Sequence, residues 1–169
     1  MLIDASLGTA CCCGPVPPVP PLPPTEPDAL YVQMSTAQTA IARGAALPLA
    51  GTVRQFGNGL SYDTANHAVT VNETGVYAFD WNVLAEGGAD GVVITLQSLD
   101  GAVLLATSGV PGGTADTPVA VSGHTVALLR AGTAWTLVNA SDTPIDIPVA
   151  GAAPAVFAAS LTVAQVGAQ

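Results

Sequence analysis

The stretch Gly75–Glu86, GVYAFDWNVLAE, constrains the fold more tightly than any other part of the chain. Tyr77, Phe79, Trp81 and Val83 fall on one face of an extended backbone, and Val76, Ala78, Asp80 and Asn82 fall on the other. A period of two is that of a β-strand with one face in a core. The neighbouring segments read the same way. GVVITLQSL (Gly91–Leu99) is dense in β-branched residues, and AVLLATS (Ala102–Ser108) follows it across Asp100-Gly101. Asp-Gly is a two-residue hairpin signal because the tight turn needs positive φ. Asn58-Gly59, between VRQF and LSY, is a second such signal.

Further strands are expected at ALYVQMST (Ala29–Thr36), HAVTV (His67–Val71), TAWTLVNA (Thr133–Ala140) and AVFAASLTVAQV (Ala155–Val166). TPVAVSGHTVALLRA (Thr117–Ala131) reads as two strands. STAQTAIARGAAL has some helical character, but its β-branched residues and glycine favour strand and loop. Short strands spaced by turn signals make an all-β sandwich or jelly roll of about eight to ten strands.

That architecture begins near Asp28. Residues 1–14 form a short arm that ends in Gly14 after Cys11, Cys12 and Cys13, the only cysteines of the chain. Residues 15–27 carry eight of the 14 prolines: Pro15, Pro17, Pro18, Pro20, Pro21, Pro23, Pro24 and Pro27. Proline fixes φ and removes a donor, so this segment reads as a polyproline II spacer. Thirteen such residues would reach on the order of 40 Å. The chain thus divides into arm (1–14), spacer (15–27) and β-domain (28–169).

Composition bounds the function. Half of the 169 residues are hydrophobic, only 9% are charged, and the net charge is -9. There is no lysine; Arg43, Arg54 and Arg130 are the basic side chains. Nucleic acid and anionic membrane surfaces are poor partners for such a chain. No apolar run approaches the roughly 20 residues of a membrane-crossing helix. So few charges cover a monomer's surface with difficulty, so the excess apolar content points to buried subunit interface. The opening MLIDASLGTA lacks the basic region and apolar length of a secretory signal, so export by that route is not expected.

Residue patterns that carry chemistry are sparse in this chain. His67 and His124 stand alone in expected strands, and nothing has the spacing of a metal-ligand set. There is no GxSxG elbow, no phosphate-binding glycine pattern and no suggestion of paired acid–base carboxylates. EGGADG (Glu86–Gly91) could be drawn as a calcium loop but fits a hairpin turn better. No catalytic residue, metal or cofactor is expected. Asn72-Glu73-Thr74 and Asn139-Ala140-Ser141 are sequons that read as turn residues.

The cysteine triplet has four readings: inter-subunit disulfides, lipidation, metal binding or free thiol. Adjacent thiols in an extended chain point apart and bridge each other poorly. That favours partners on other chains, and with no cysteine in the β-domain each partner must be another arm. The basic or apolar flank of a lipidation site is missing.

The segment NGLSYDTANHAVTVNETGVYAFDWNV (Asn58–Val83) resembles the central signature of the complement/TNF-like jelly roll. The matching positions are Tyr62, Asp63, Val69, Val71, Thr74, Gly75, Val76, Tyr77, Phe79 and Val83. Within that superfamily the lysine-free style, the turn VNETGVY and the close AASLTVAQVG look most like the C-terminal domain of BclA-type spore-surface glycoproteins. The likeness covers roughly Leu47 to Gly167. BclA-type proteins carry a collagen-like region before the jelly roll, and none is present here. The arm instead resembles the N-terminal connectors of bacterial endospore appendage (Ena) fibres.

These resemblances imply a homotrimer with aromatic and aliphatic side chains buried between subunits, and Tyr77, Phe79 and Trp81 as core signature. They imply Cys11, Cys12 and Cys13 as cross-links and Leu2, Ile3 and Leu7 as the arm's docking residues. If the arms dock into the base of the next trimer, the contact is head-to-tail and does not close, which generates a filament. The expected role is a structural fibre subunit on a bacterial spore surface, with itself as partner and an anchor and a tip protein as further candidates. The rival is a receptor- or glycan-binding tip.

Overall fold

The computed structural model describes residues 27–34, 36–112, 117–148 and 158–168. The arm and all of the spacer except Pro27 therefore lie outside the described residues. Twelve strands follow one another: β1 (Ala29–Met34), β2 (Gln38–Ile41), β3 (Val53–Phe56), β4 (Leu60–Asp63), β5 (Ala68–Val71), β6 (Gly75–Ala85), β7 (Val92–Ser98), β8 (Leu104–Val110), β9 (Val119–Leu129), β10 (Ala134–Asn139), β11 (Ile145–Ile147) and β12 (Ala159–Ala168). No helix occurs among the described residues.

The strands form two five-stranded sheets, ordered β3-β1-β12-β6-β9 and β4-β5-β10-β7-β8, with β11-β2 as a separate pair. Every pairing is antiparallel. Consecutive strands alternate between sheets over much of the chain, which is the crossing pattern of a jelly roll. The two inner faces supply one core. β6 contributes Tyr77, Phe79, Trp81 and Val83, all buried; β7 contributes Ile94 and Leu96, and β1 Leu30, Val32 and Met34. Tyr77 reaches the end of the core, where its hydroxyl donates to the Glu73 carbonyl at 2.8 Å. Burial, with the charges of Asp28 and Glu73 nearby, raises the Tyr77 phenol above its usual range, so it stays a donor.

The structure corrects several expectations. Thr117–Ala131 is not two strands: β9 runs unbroken from Val119 to Leu129. Gly123 suggests a break, but it lies opposite Trp81. A Cβ there would run into the indole, so the glycine makes room for a core side chain. Asn58-Gly59 is not a two-residue hairpin, because β3 and β4 belong to different sheets. The positive φ of that turn is at Gly57 (72°). Glu86–Gly91 likewise carries the chain between sheets, from β6 to β7. Asp100-Gly101 does lie in a paired hairpin, β7 and β8, but not as a two-residue turn: the Ser98 N–H donates to the Val103 carbonyl at 2.8 Å, four residues lie between them, and of the pair only Gly101 has positive φ (71°). The pair β2–β11 adds to the expected count because QTAI and IDI are too short and irregular to stand out.

The sheets have two ends. At one lie Ala29, Leu60, Val71, Gly75, Leu129, Ala134, Ser98 and Leu104. The chain enters here through Pro27, so this is the arm end.

Candidate self-association surface

The entry point is firmly held. The Asp28 side chain is buried, and its Oδ1 accepts the backbone N–H of Gly59 at 2.9 Å. Its carbonyl accepts the Gln165 N–H at 2.8 Å. A Cβ at Gly57 or Gly59 would collide with the Asp28 carboxylate, so both glycines are required for it to sit there. The last residue before β1 is thereby clamped to both sheets, which sets where the spacer leaves.

The outward face of the first sheet is organised in rows by strand register. One row reads Arg54, Tyr31, Thr162, Asp80, His124 across β3, β1, β12, β6 and β9. Beside it lies Gln33, Ser160, Asn82, Ser122. These rows are polar. Asp80 Oδ1 and His124 Nδ1 are 2.7 Å apart, Asn82 Nδ2 donates to Ser122 Oγ at 3.1 Å, and the Tyr31 hydroxyl donates to Gln33 Oε1 at 2.9 Å. Asp80, Asn82, Ser122, His124, Ser160 and Thr162 of these rows line a shallow hollow of about 470 Å³.

Toward the arm end the face turns apolar. The next row reads Phe56, Ala29, Ala164, Ala78, Val126, and beyond it Val76 opposes Leu128. Val166 follows at the bulge in β12. Phe56, Val126, Leu128 and Val166 are each more than half exposed, up to 63% for Phe56. Phe56 is held out by β3, whose four residues are all exposed while the strand pairs with β1 along one edge. A set of large apolar side chains on one flat face, beside a filled core, is the mark of an interaction surface.

The sequence-derived candidates distribute as follows. Cys11, Cys12, Cys13, Leu2, Ile3, Leu7 and the prolines from Pro15 to Pro24 lie outside the described residues. Tyr77, Phe79 and Trp81 are buried. His67 and His124 do not converge: His124 faces outward beside Asp80, and His67 precedes β5 in the left-handed region at φ 51°. Among the described residues no group of three or more His, Cys, Asp or Glu comes together. Asn139, expected in a turn, ends β10 fully buried. Its Nδ2 donates to the Ile41 and Thr143 carbonyls, and its Oδ1 accepts from the Ser141 N–H. It is an internal brace, inaccessible to a sugar in the folded chain. Asp28 and the apolar row had no motif to announce them; a register-level alignment of β6, β9 and β12 would have found the row.

Comparison with solved structures identifies the architecture. The Eiger TNF of S. frugiperda superposes with a TM-score of 0.63 at 10% identity, covering 84% of this chain and 93% of that one. Murine APRIL superposes at 0.59 with 12% identity, covering 83% and 100%. The globular domain of zebrafish complement 1qA superposes at 0.57 with 13% identity, covering 83% and 98%. No protein-family model and no curated protein matches the sequence. At such identities the likeness is one of fold, and the fold of this chain is the TNF-like jelly roll.

Proposed function

We propose that the chain is a structural protein: a homotrimeric jelly roll whose N-terminal arm joins trimers head-to-tail into a fibre on a bacterial spore surface. The observation that carries the reading is the apolar end of the outward face, where Phe56, Val126, Leu128 and Val166 stand exposed on the sheet that the arm enters. Covering these side chains needs another surface of similar character, and a further copy of the chain supplies one. The low charge of the chain supports the same reading. The arms then leave every trimer from one end, Cys11, Cys12 and Cys13 link to arms of neighbouring subunits, and the proline segment sets the reach. Leu2, Ile3 and Leu7 dock on the next trimer. Such a contact does not close on itself, so it propagates.

A second reading, a glycan- or receptor-binding head, is favoured by the polar hollow around Asp80, Asn82, Ser122 and Ser160, whose amides, hydroxyls and carboxylate suit a sugar.

Electron microscopy of the purified chain, with and without residues 1–14, tests the proposal. Filaments from the full chain and separate particles from the shortened one support it. Separate particles from both, in oxidising and reducing buffer alike, overturn it. Saturable glycan binding lost on Asp80→Ala would favour the second reading.

A further inference from the structure

A second apolar feature lies at the arm end, on the other sheet. A cleft of about 450 Å³ opens between the β7–β8 turn and the β9–β10 loop. Leu99 and Val103 form its walls, 43% and 48% exposed, and Ala134 and Trp135 its floor. The Trp135 indole N–H is already given to Thr133 Oγ1 at 3.0 Å. The cleft therefore offers an apolar ring rather than a donor, which suits an aliphatic side chain.

We propose that this cleft holds the proline spacer of the same chain, through Leu22 first and Val19 after it. The spacer sequence has the matching period. Val16, Val19 and Leu22 recur every three residues in VPPVPPLPP. A polyproline II helix has three residues per turn, so in that conformation the three aliphatic side chains would line one edge. Polyproline segments dock on aromatic-lined grooves with little loss of entropy, because their conformation is already set.

The reach also agrees. Asp28 touches Gly59, and a ladder of backbone hydrogen bonds leads from there to the cleft: Asn72 N to Gly59 O, Val71 N to Thr133 O, and Leu99 N to Ala134 O. Three strand spacings of about 4.8 Å separate Leu99 from Gly59, about 14 Å, and the Asp28 carboxylate lies against Gly59. Leu22 is five residues before Pro27. Five residues of polyproline II span about 16 Å, so Leu22 arrives at the cleft and Val19 lies one turn beyond it. Docking there lays the spacer across the arm end of its own subunit and gives the thiols at 11–13 a defined point of departure. This inference stands apart from the fibre reading, since it needs neither a trimer nor a filament.

The test is a photo-cross-link in the full-length chain carrying Leu22→p-benzoylphenylalanine, resolved on a reducing denaturing gel and mapped by mass spectrometry. The expected result is a single-chain product joined to the segments 98–103 or 132–135. A two-chain product, a link only to Phe56, Val126 or Leu128, or no link to the cleft overturns the inference. A second measurement removes dependence on the bulky probe. In the full-length Val19→Asp/Leu22→Asp variant, amide hydrogen exchange should rise several-fold at 98–103 and 132–135 and stay unchanged in β1. Unchanged exchange at the cleft contradicts the docking.

Discussion

The indole N–H of Trp81 on β6 donates to the Ser108 hydroxyl on β8 at 2.9 Å, a bond from one sheet to the other. The same ring fills the space opposite Gly123 on β9. One side chain thus closes the sandwich along its β8–β9 side. Gly123→Ala should therefore be costly, because the new methyl meets the indole. The expected loss is about 1–3 kcal/mol, the range for overpacking a filled core. Ser108→Ala should cost about 1 kcal/mol through the lost hydrogen bond. Urea midpoints check both, and a Gly123→Ala midpoint equal to the parent's contradicts this account.

Asp28 should behave as a structural anchor. Asp28→Ala leaves the Gly59 N–H without its acceptor in a buried place. The expected cost is about 1–3 kcal/mol. Hydrogen exchange of the Gly59 amide is the specific readout; protection retained in the variant would mean that another group holds that turn.

Asn139→Ala should cost more than a surface sequon would. It strips partners from the Ile41 and Thr143 carbonyls and the Ser141 N–H at once. A loss of about 2–4 kcal/mol is expected from several buried groups left unsatisfied. Thermal unfolding gives the value, and a change below the noise removes Asn139 from the framework.

Two turn carboxylates contribute acid sensitivity. The Asn66 side chain, then the Ala65 and Asn66 amides, lowers the Asp63 pKa below its ordinary 3.8. The Ser98 hydroxyl and the Ala102 amide do the same for Asp100. For a lowered folded pKa the stabilisation is present above the ordinary value and fades as the pH falls through the lowered one. The melting temperature should thus drop as the pH falls below about 4, and drop less in Asp63→Ala/Asp100→Ala. Parallel curves for the two proteins would show that these turns are silent.

The legible part of this molecule was the part with strict alternation. Gly75–Glu86 announced its buried and exposed faces residue by residue, because a half-buried strand writes its packing into a period of two. Asp100-Gly101 announced its hairpin because the backbone there demands positive φ. Asn58-Gly59 misled, because the dipeptide signals a tight turn without saying which sheet the next strand joins. Gly123 misled for a related reason: its role is set by Trp81, which lies far away in sequence and directly opposite in space. The outward apolar row was hidden because its members come from five strands and contribute one residue each. Asp28 and Asn139 were hidden because a buried polar brace is defined by its partners.

In the proposed fibre the outward face of the first sheet is shared between copies of the chain. Native mass spectrometry of the full chain, with Cys11, Cys12 and Cys13 replaced by serine to prevent cross-linking, tests this most directly. The expected species contains three chains of 16.7 kDa each, and Val126→Asp/Leu128→Asp should reduce it to one chain. A parent protein that remains a single 16.7 kDa chain at micromolar concentration would contradict the account.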